Sequence, residues 1–89
     1  MEQEKTMKQE KHKVAVNIYG TNYTMRTMHT EEQVGRIVDY LNEKMEEVGQ
    51  YQPKLNYKDI AVLAALNITE ELLNVKEDYN QLLEIINEN

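Results

Sequence analysis

The sequence has 89 residues, no Cys, one Pro and a net charge of -6 at pH 7, which allows one small domain with a limited core and excludes disulfides and thiolate metal sites as its staples. His12 and His29 stand alone, and no stretch approaches the roughly 18 apolar residues of a membrane span. Residues 55–89 set Lys58 and Lys76 against seven carboxylates, a balance that repels a phosphate backbone and disfavours nucleic acid as a partner.

Residues 1–12 carry three Lys and three Glu without apolar periodicity, so a disordered N-terminal tail is expected there. The segment has no apolar h-region and does not read as a signal peptide. Val14, Val16 and Ile18 then alternate with Ala15, Asn17 and Tyr19, and Tyr23, Met25 and Thr27 alternate with Thr24, Arg26 and Met28. Period two with β-branched residues predicts two strands over 13–28, joined by a turn at Gly20-Thr21-Asn22. A two-stranded hairpin is marginal in water, so another element must pack on it.

Thr30-Glu31-Glu32-Gln33 has the form of a capping box, and the two glutamates suit the start of a helix. Val34, Ile37, Val38, Leu41, Met45 and Val48 give the helix that follows one apolar face. Gly49 is the expected C′ residue, and Gly35 weakens the helix interior unless it admits a close backbone. A connector from Gln50 to Leu55 contains Pro53, and Asn56 with Asp59 three residues on reads as the next N-cap. From Tyr57 to about Glu88 no Gly or Pro interrupts the chain. The result is a helix of roughly 48 Å at ~1.5 Å per residue.

Along that helix Ala61, Ala65, Ile68, Leu72, Val75, Tyr79, Leu82 and Ile86 are spaced alternately four and three apart. This is an a/d heptad stripe, and it needs a partner helix. From Ile60 to Ile68 only Asn67 is polar, so that portion must be covered on all sides. The small Ala61, Ala64 and Ala65 allow close helix approach. The expected architecture is therefore α+β. An N-terminal β-hairpin packs with a short helix, and a long C-terminal helix forms a dimeric coiled coil. The expected divisions are a tail (1–12), a head including the start of the long helix (13–68) and a coiled-coil continuation (69–89).

No spacing supports catalysis. Glu31-Glu32 and Glu46-Glu47 are adjacent pairs and do not share a helix face, and no phosphate loop, metal-binding His motif or nucleophile–His–acid set is present. The chain reads as a binding protein rather than an enzyme, with no cofactor, no metal and no small-molecule substrate. Tyr79, at an a position, reads as a core-edge aromatic.

Val16-Asn17-Ile18-Tyr19-Gly20 with Tyr23, the Leu41-Asn42 pair with Met45, and above all Leu63-Ala64-Ala65-Leu66-Asn67-Ile68-Thr69 followed by Glu71-Leu72 resemble the ZapA family of bacterial cell-division proteins. The resemblance covers about residues 13–80. It implies an adaptor that binds the tubulin-like polymer FtsZ, aligns or cross-links its filaments and promotes the Z-ring at the cytoplasmic midcell division site. It also implies a homodimer through the long helix, with antiparallel tetramers among longer members; the short coiled coil here favours the dimer. The family's polymer contacts lie around the connector and the start of the long helix. Asn67 matches the family Asn and Leu63 a branched apolar position of the same motif, while Lys54 and Lys58 are basic groups that would face an acidic FtsZ surface. Pro53 and Thr21 stand where some members place Arg. The blander readings are a solvated amide for Asn67 and solvated lysines for Lys54 and Lys58. A generic coiled-coil scaffold for another cytoplasmic complex is the alternative function.

Overall fold

A computed structural model describes residues 10–88. Residues 1–9, which hold most of the expected tail, lie outside the described residues. The element order is β1 (His12–Ile18), β2 (Thr21–Thr27), α1 (Glu31–Tyr51) and α2 (Tyr57–Glu88). This is the expected α+β order of hairpin, helix and long helix. Two compact units divide the chain, Met1–Glu46 and Glu47–Asn89.

In the first unit β1 and β2 pair antiparallel, with Val14 opposite Met25 and Ile18 opposite Thr21. The strand begins at His12, one residue before the expected start. Alternation works as expected on β1, where Val14 is buried, Val16 and Ile18 are half-buried, and Ala15 and Asn17 are exposed. The turn differs from expectation. Its central residues are Tyr19 (φ 51°) and Gly20 (φ 92°) rather than Gly20-Thr21-Asn22. Two consecutive positive φ values are those of the tight turn whose twist matches a hairpin.

A tyrosine in the left-handed region carries a steric cost of roughly 1–2 kcal/mol, and Asn42 of α1 offsets it. The Asn42 Oδ1 accepts from the Tyr19 N–H at 2.8 Å, and its Nδ2 donates to the Asn17 carbonyl at 3.1 Å. The Asn17 side chain closes the same turn by donating to Asn22 Oδ1 at 2.8 Å and accepting from the Gly20 N–H at 3.2 Å. Asn42→Ala removes both links from α1 to the turn. It is expected to lower stability by about 1–2 kcal/mol, read as a lower denaturant midpoint. Asn42→Asp keeps the acceptor and should recover part of the loss.

α1 starts at the expected capping box. The Gln33 N–H donates to Thr30 Oγ1 at 3.1 Å, and the Thr30 N–H donates to Gln33 Oε1 at 2.9 Å. Val34 and Met45 are fully buried, whereas Ile37, expected on the same face, is exposed. It lies at the fringe of the stripe. The expected end at Gly49 is wrong. The helix continues to Tyr51, and the Gln52 N–H still donates to the Val48 carbonyl at 3.0 Å. Pro53 supplies the stop, because the residue before a proline is driven out of the helical region. α2 begins as expected, with the Asp59 N–H donating to Asn56 Oδ1 at 2.8 Å, and spans 32 residues.

Candidate interaction site

Two features of the second unit bear on binding. The first is the apolar stripe of α2. Ile60 and Ala64 are the buried residues of this helix. Of the eight expected seam residues, Ala61 and Ile68 are half-buried and Ala65, Leu72, Val75, Tyr79, Leu82 and Ile86 are exposed. Leu72, Val75 and Leu82 are 55%, 63% and 53% accessible. A run of large apolar side chains left more than half wet over several turns marks an interaction surface rather than scattered surface residues. Val62, Leu83 and Ile85, at e and g positions, extend the apolar surface beside the seam and are also exposed.

The second feature is a depression of about 320 Å³ lined by Glu47, Val48, Tyr51 and Gln52 with Leu63 and Asn67 of α2. Leu63 and Asn67 lie four residues apart and so share a helix face. The continuation of α1 past Gly49 brings Tyr51 to the same place. Asn67 is exposed and Leu63 half-buried. Tyr51, 87% accessible, is the most exposed large apolar side chain among those described. An amide, a branched apolar group, a ring and the Glu47 carboxylate around one hollow suit a protein surface with mixed polar and apolar contacts. The residues that sequence reading did not place here are Glu47, Val48, Tyr51 and Gln52.

Lys54 lies apart from that hollow. With Gln52, Pro53 and Leu55 it lines a separate depression of about 300 Å³ in the connector. Lys58 is exposed in the first turn of α2 and lines neither hollow. The four residues expected to meet a partner thus occur as one pair and two separate lysines. Among the described residues no group of His, Asp and Glu is arranged to hold a metal ion, and no helix is long and apolar enough to cross a membrane.

Residues 14–88 match the family model described as cell division protein ZapA. A cell division protein ZapA of Geobacillus sp. (strain WCH70) is 33% identical over 76 residues, which is 85% of this chain and 87% of that protein. Its counterpart in Geobacillus kaustophilus is 37% identical over 76 residues, 85% of this chain and 84% of that one. Among solved structures, a ZapA mutant dimer from Geobacillus stearothermophilus is similar with a TM-score of 0.72 at 35% identity, covering 88% of this chain and 91% of that chain.

Proposed function

The chain belongs to the ZapA family of cell division proteins, and on that premise we propose that it binds FtsZ and aligns or cross-links its filaments as a bivalent homodimer, promoting Z-ring assembly at the cytoplasmic face of midcell. The observation that carries the bivalent part is the exposed a/d stripe of α2. A single copy leaves it in water, and a second copy offers an identical stripe to cover it. The similarity to a solved ZapA dimer supports the same reading. Continuation of α2 past Thr69 as a coiled coil gives each dimer two equivalent sites. Two modest contacts on one rigid body then act with an effective concentration that neither has alone. Binding and positioning account for this role, and no catalytic group enters it.

We place the polymer contact on the hollow shared by Asn67 and Leu63, with Lys54 and Lys58 attracting an acidic surface from outside it. Co-sedimentation with polymerised FtsZ tests the reading. The chain should be enriched in the pellet and should bundle filaments. Asn67→Ala and Leu63→Ala should each weaken binding about fivefold or more, the effect of losing ~1 kcal/mol at an interface centre. Lys54→Glu with Lys58→Glu should lower pelleting chiefly at low salt, because exposed charges act through a screened field. Absence from the pellet at low salt contradicts FtsZ binding and favours a scaffold for another complex.

A further inference from the structure

We propose that the free edge of β1 is a second contact between copies of this chain, pairing antiparallel with the β1 edge of the other copy. This inference rests on the dimer reading above. It concerns a different surface, within residues 12–46, that the α2 stripe does not explain.

The hairpin turn fixes which backbone groups are free. In a two-residue turn the flanking residues, here Ile18 and Thr21, exchange the hydrogen bonds that close it. The pairing groups of Ile18, Val16 and Val14 therefore face β2, and those of Asn17, Ala15 and Lys13 face away. The Asn42 side chain confirms this direction, because it reaches the Asn17 carbonyl and the Tyr19 N–H from outside the hairpin. Asn42 thus covers the edge at its turn end. Lys13 and Ala15 are exposed, and their outward groups meet no described residue. A row of open amides and carbonyls is a template for another strand.

Beside that edge lies a groove of about 660 Å³. Its β side is four consecutive residues of β1, Val14–Asn17, with none from β2. Its α1 side includes Val34, Gly35, Val38 and Asp39. A Cβ on Gly35 would meet nothing within 4 Å. No contact among the described residues therefore requires a glycine there, although glycine weakens a helix interior. An incoming backbone or helix supplies the missing reason.

The β1 strand of a second copy fits this groove by its own chemistry. In a two-fold antiparallel arrangement centred on Val14, the outward groups of Lys13 and Ala15 in one copy meet those of Ala15 and Lys13 in the other. The basic start of the incoming strand, Lys11-His12-Lys13, then runs toward the Asn17 end, where Asp39 lines the groove. The two marginal hairpins become one four-stranded sheet in which both β1 edges are paired and the β2 strands lie outermost. So short a contact does not hold two free chains together. It forms once the helix stripe keeps the copies at high effective concentration.

Amide hydrogen exchange on the full chain, with mass measured at the same concentration, tests this. In the native dimer the Lys13 and Ala15 amides should be protected along with Val14 and Val16. In the single-chain variant Leu72→Glu with Leu82→Glu, Lys13 and Ala15 should exchange at least about tenfold faster, while Val14 and Val16 keep hairpin-level protection. Gly35→Leu should leave the fold and the dimer mass intact yet expose Lys13 and Ala15, because it fills the groove. A native dimer with these two amides exchanging freely overturns edge pairing and leaves the dimer reading standing. Retained protection in Gly35→Leu overturns it too, as does protection that appears only when a foreign partner is added. A native chain of monomer mass defeats the dimer reading first, and this inference with it.

Discussion

Replacing Leu72 and Leu82 together by Glu is expected to reduce the protein to single chains at micromolar concentration. Both residues sit in the α2 stripe, one at an a and one at a d position, and both are more than half exposed in the single chain. Covering the exposed half of each Leu is worth about 0.8–1.5 kcal/mol, and a homodimer holds four of them, so the loss is about 3–6 kcal/mol and roughly two to four decades in Kd. Glu adds the cost of bringing unpaired charge into an apolar seam. The monomer should keep its hairpin and α1, because the first unit holds its own buried residues, Val14, Val34 and Met45. Filament bundling should disappear before polymer contact does, since contact needs one site and bundling needs two. Light scattering reads the mass and co-sedimentation reads the contact. A double variant that stays dimeric would show that the stripe is not the seam.

The second large effect belongs to the core. Met45→Ala is expected to destabilise the fold by about 2–5 kcal/mol, the usual range for truncating a fully buried long side chain. Met45 has no accessible surface and is the largest fully buried side chain. It lies in α1 one turn after Leu41 and three residues after Asn42. Its loss should therefore loosen the part of the helix that holds the turn. For a domain of this size the total stability is a few kcal/mol to about 15, so the variant should melt at a much lower temperature or fail to fold. Met45→Leu, close in volume, should cost less than about 1.5 kcal/mol. Thermal unfolding followed by circular dichroism separates the two outcomes. Equal losses from Ala and Leu would contradict a packing role.

Local chemistry was readable from the residues wherever it lies within a few positions along the chain. The Thr30–Gln33 box and the Asn56 cap appear as expected, with both hydrogen bonds of the box present. The full span of α2 was readable because nothing between Tyr57 and Glu88 breaks a helix. Strand alternation correctly separated Val14, Val16 and Ile18 from their exposed neighbours. Glycine is the ambiguous signal in this chain. Gly49 suggested a helix end, but a glycine only permits one, whereas Pro53 enforces it on the residue before. Gly20 suggested a turn running toward Asn22, but the strand pairing places Tyr19 in the left-handed region, which a tyrosine rarely enters unaided. The aid comes from Asn42, 23 residues away in sequence, and no local pattern announces such a contact.

The candidate site divides along the same line. Leu63 and Asn67 were expected through family resemblance, and their common helix face follows from their spacing. That Glu47, Tyr51 and Gln52 line the same hollow depends on how α1 ends and where the connector turns. Lys54 and Lys58 are close in sequence yet do not share a hollow, because a helix start separates them and redirects the chain. The open edge of β1 was invisible for another reason. Alternation reports which side chains are buried, but it does not say whether a strand has a neighbour on one side or on both.

Bivalent bundling and the pairing of the β1 edges both depend on a second copy covering the α2 stripe, and solution mass against protomer concentration, followed together with the thermal midpoint, tests that most directly. Twice the chain mass is expected over the micromolar range, with a midpoint that rises as concentration rises, because association stabilises only the folded chains. A chain of 10.5 kDa that holds its single-copy mass and an unchanging midpoint from dilute to concentrated solution would contradict it.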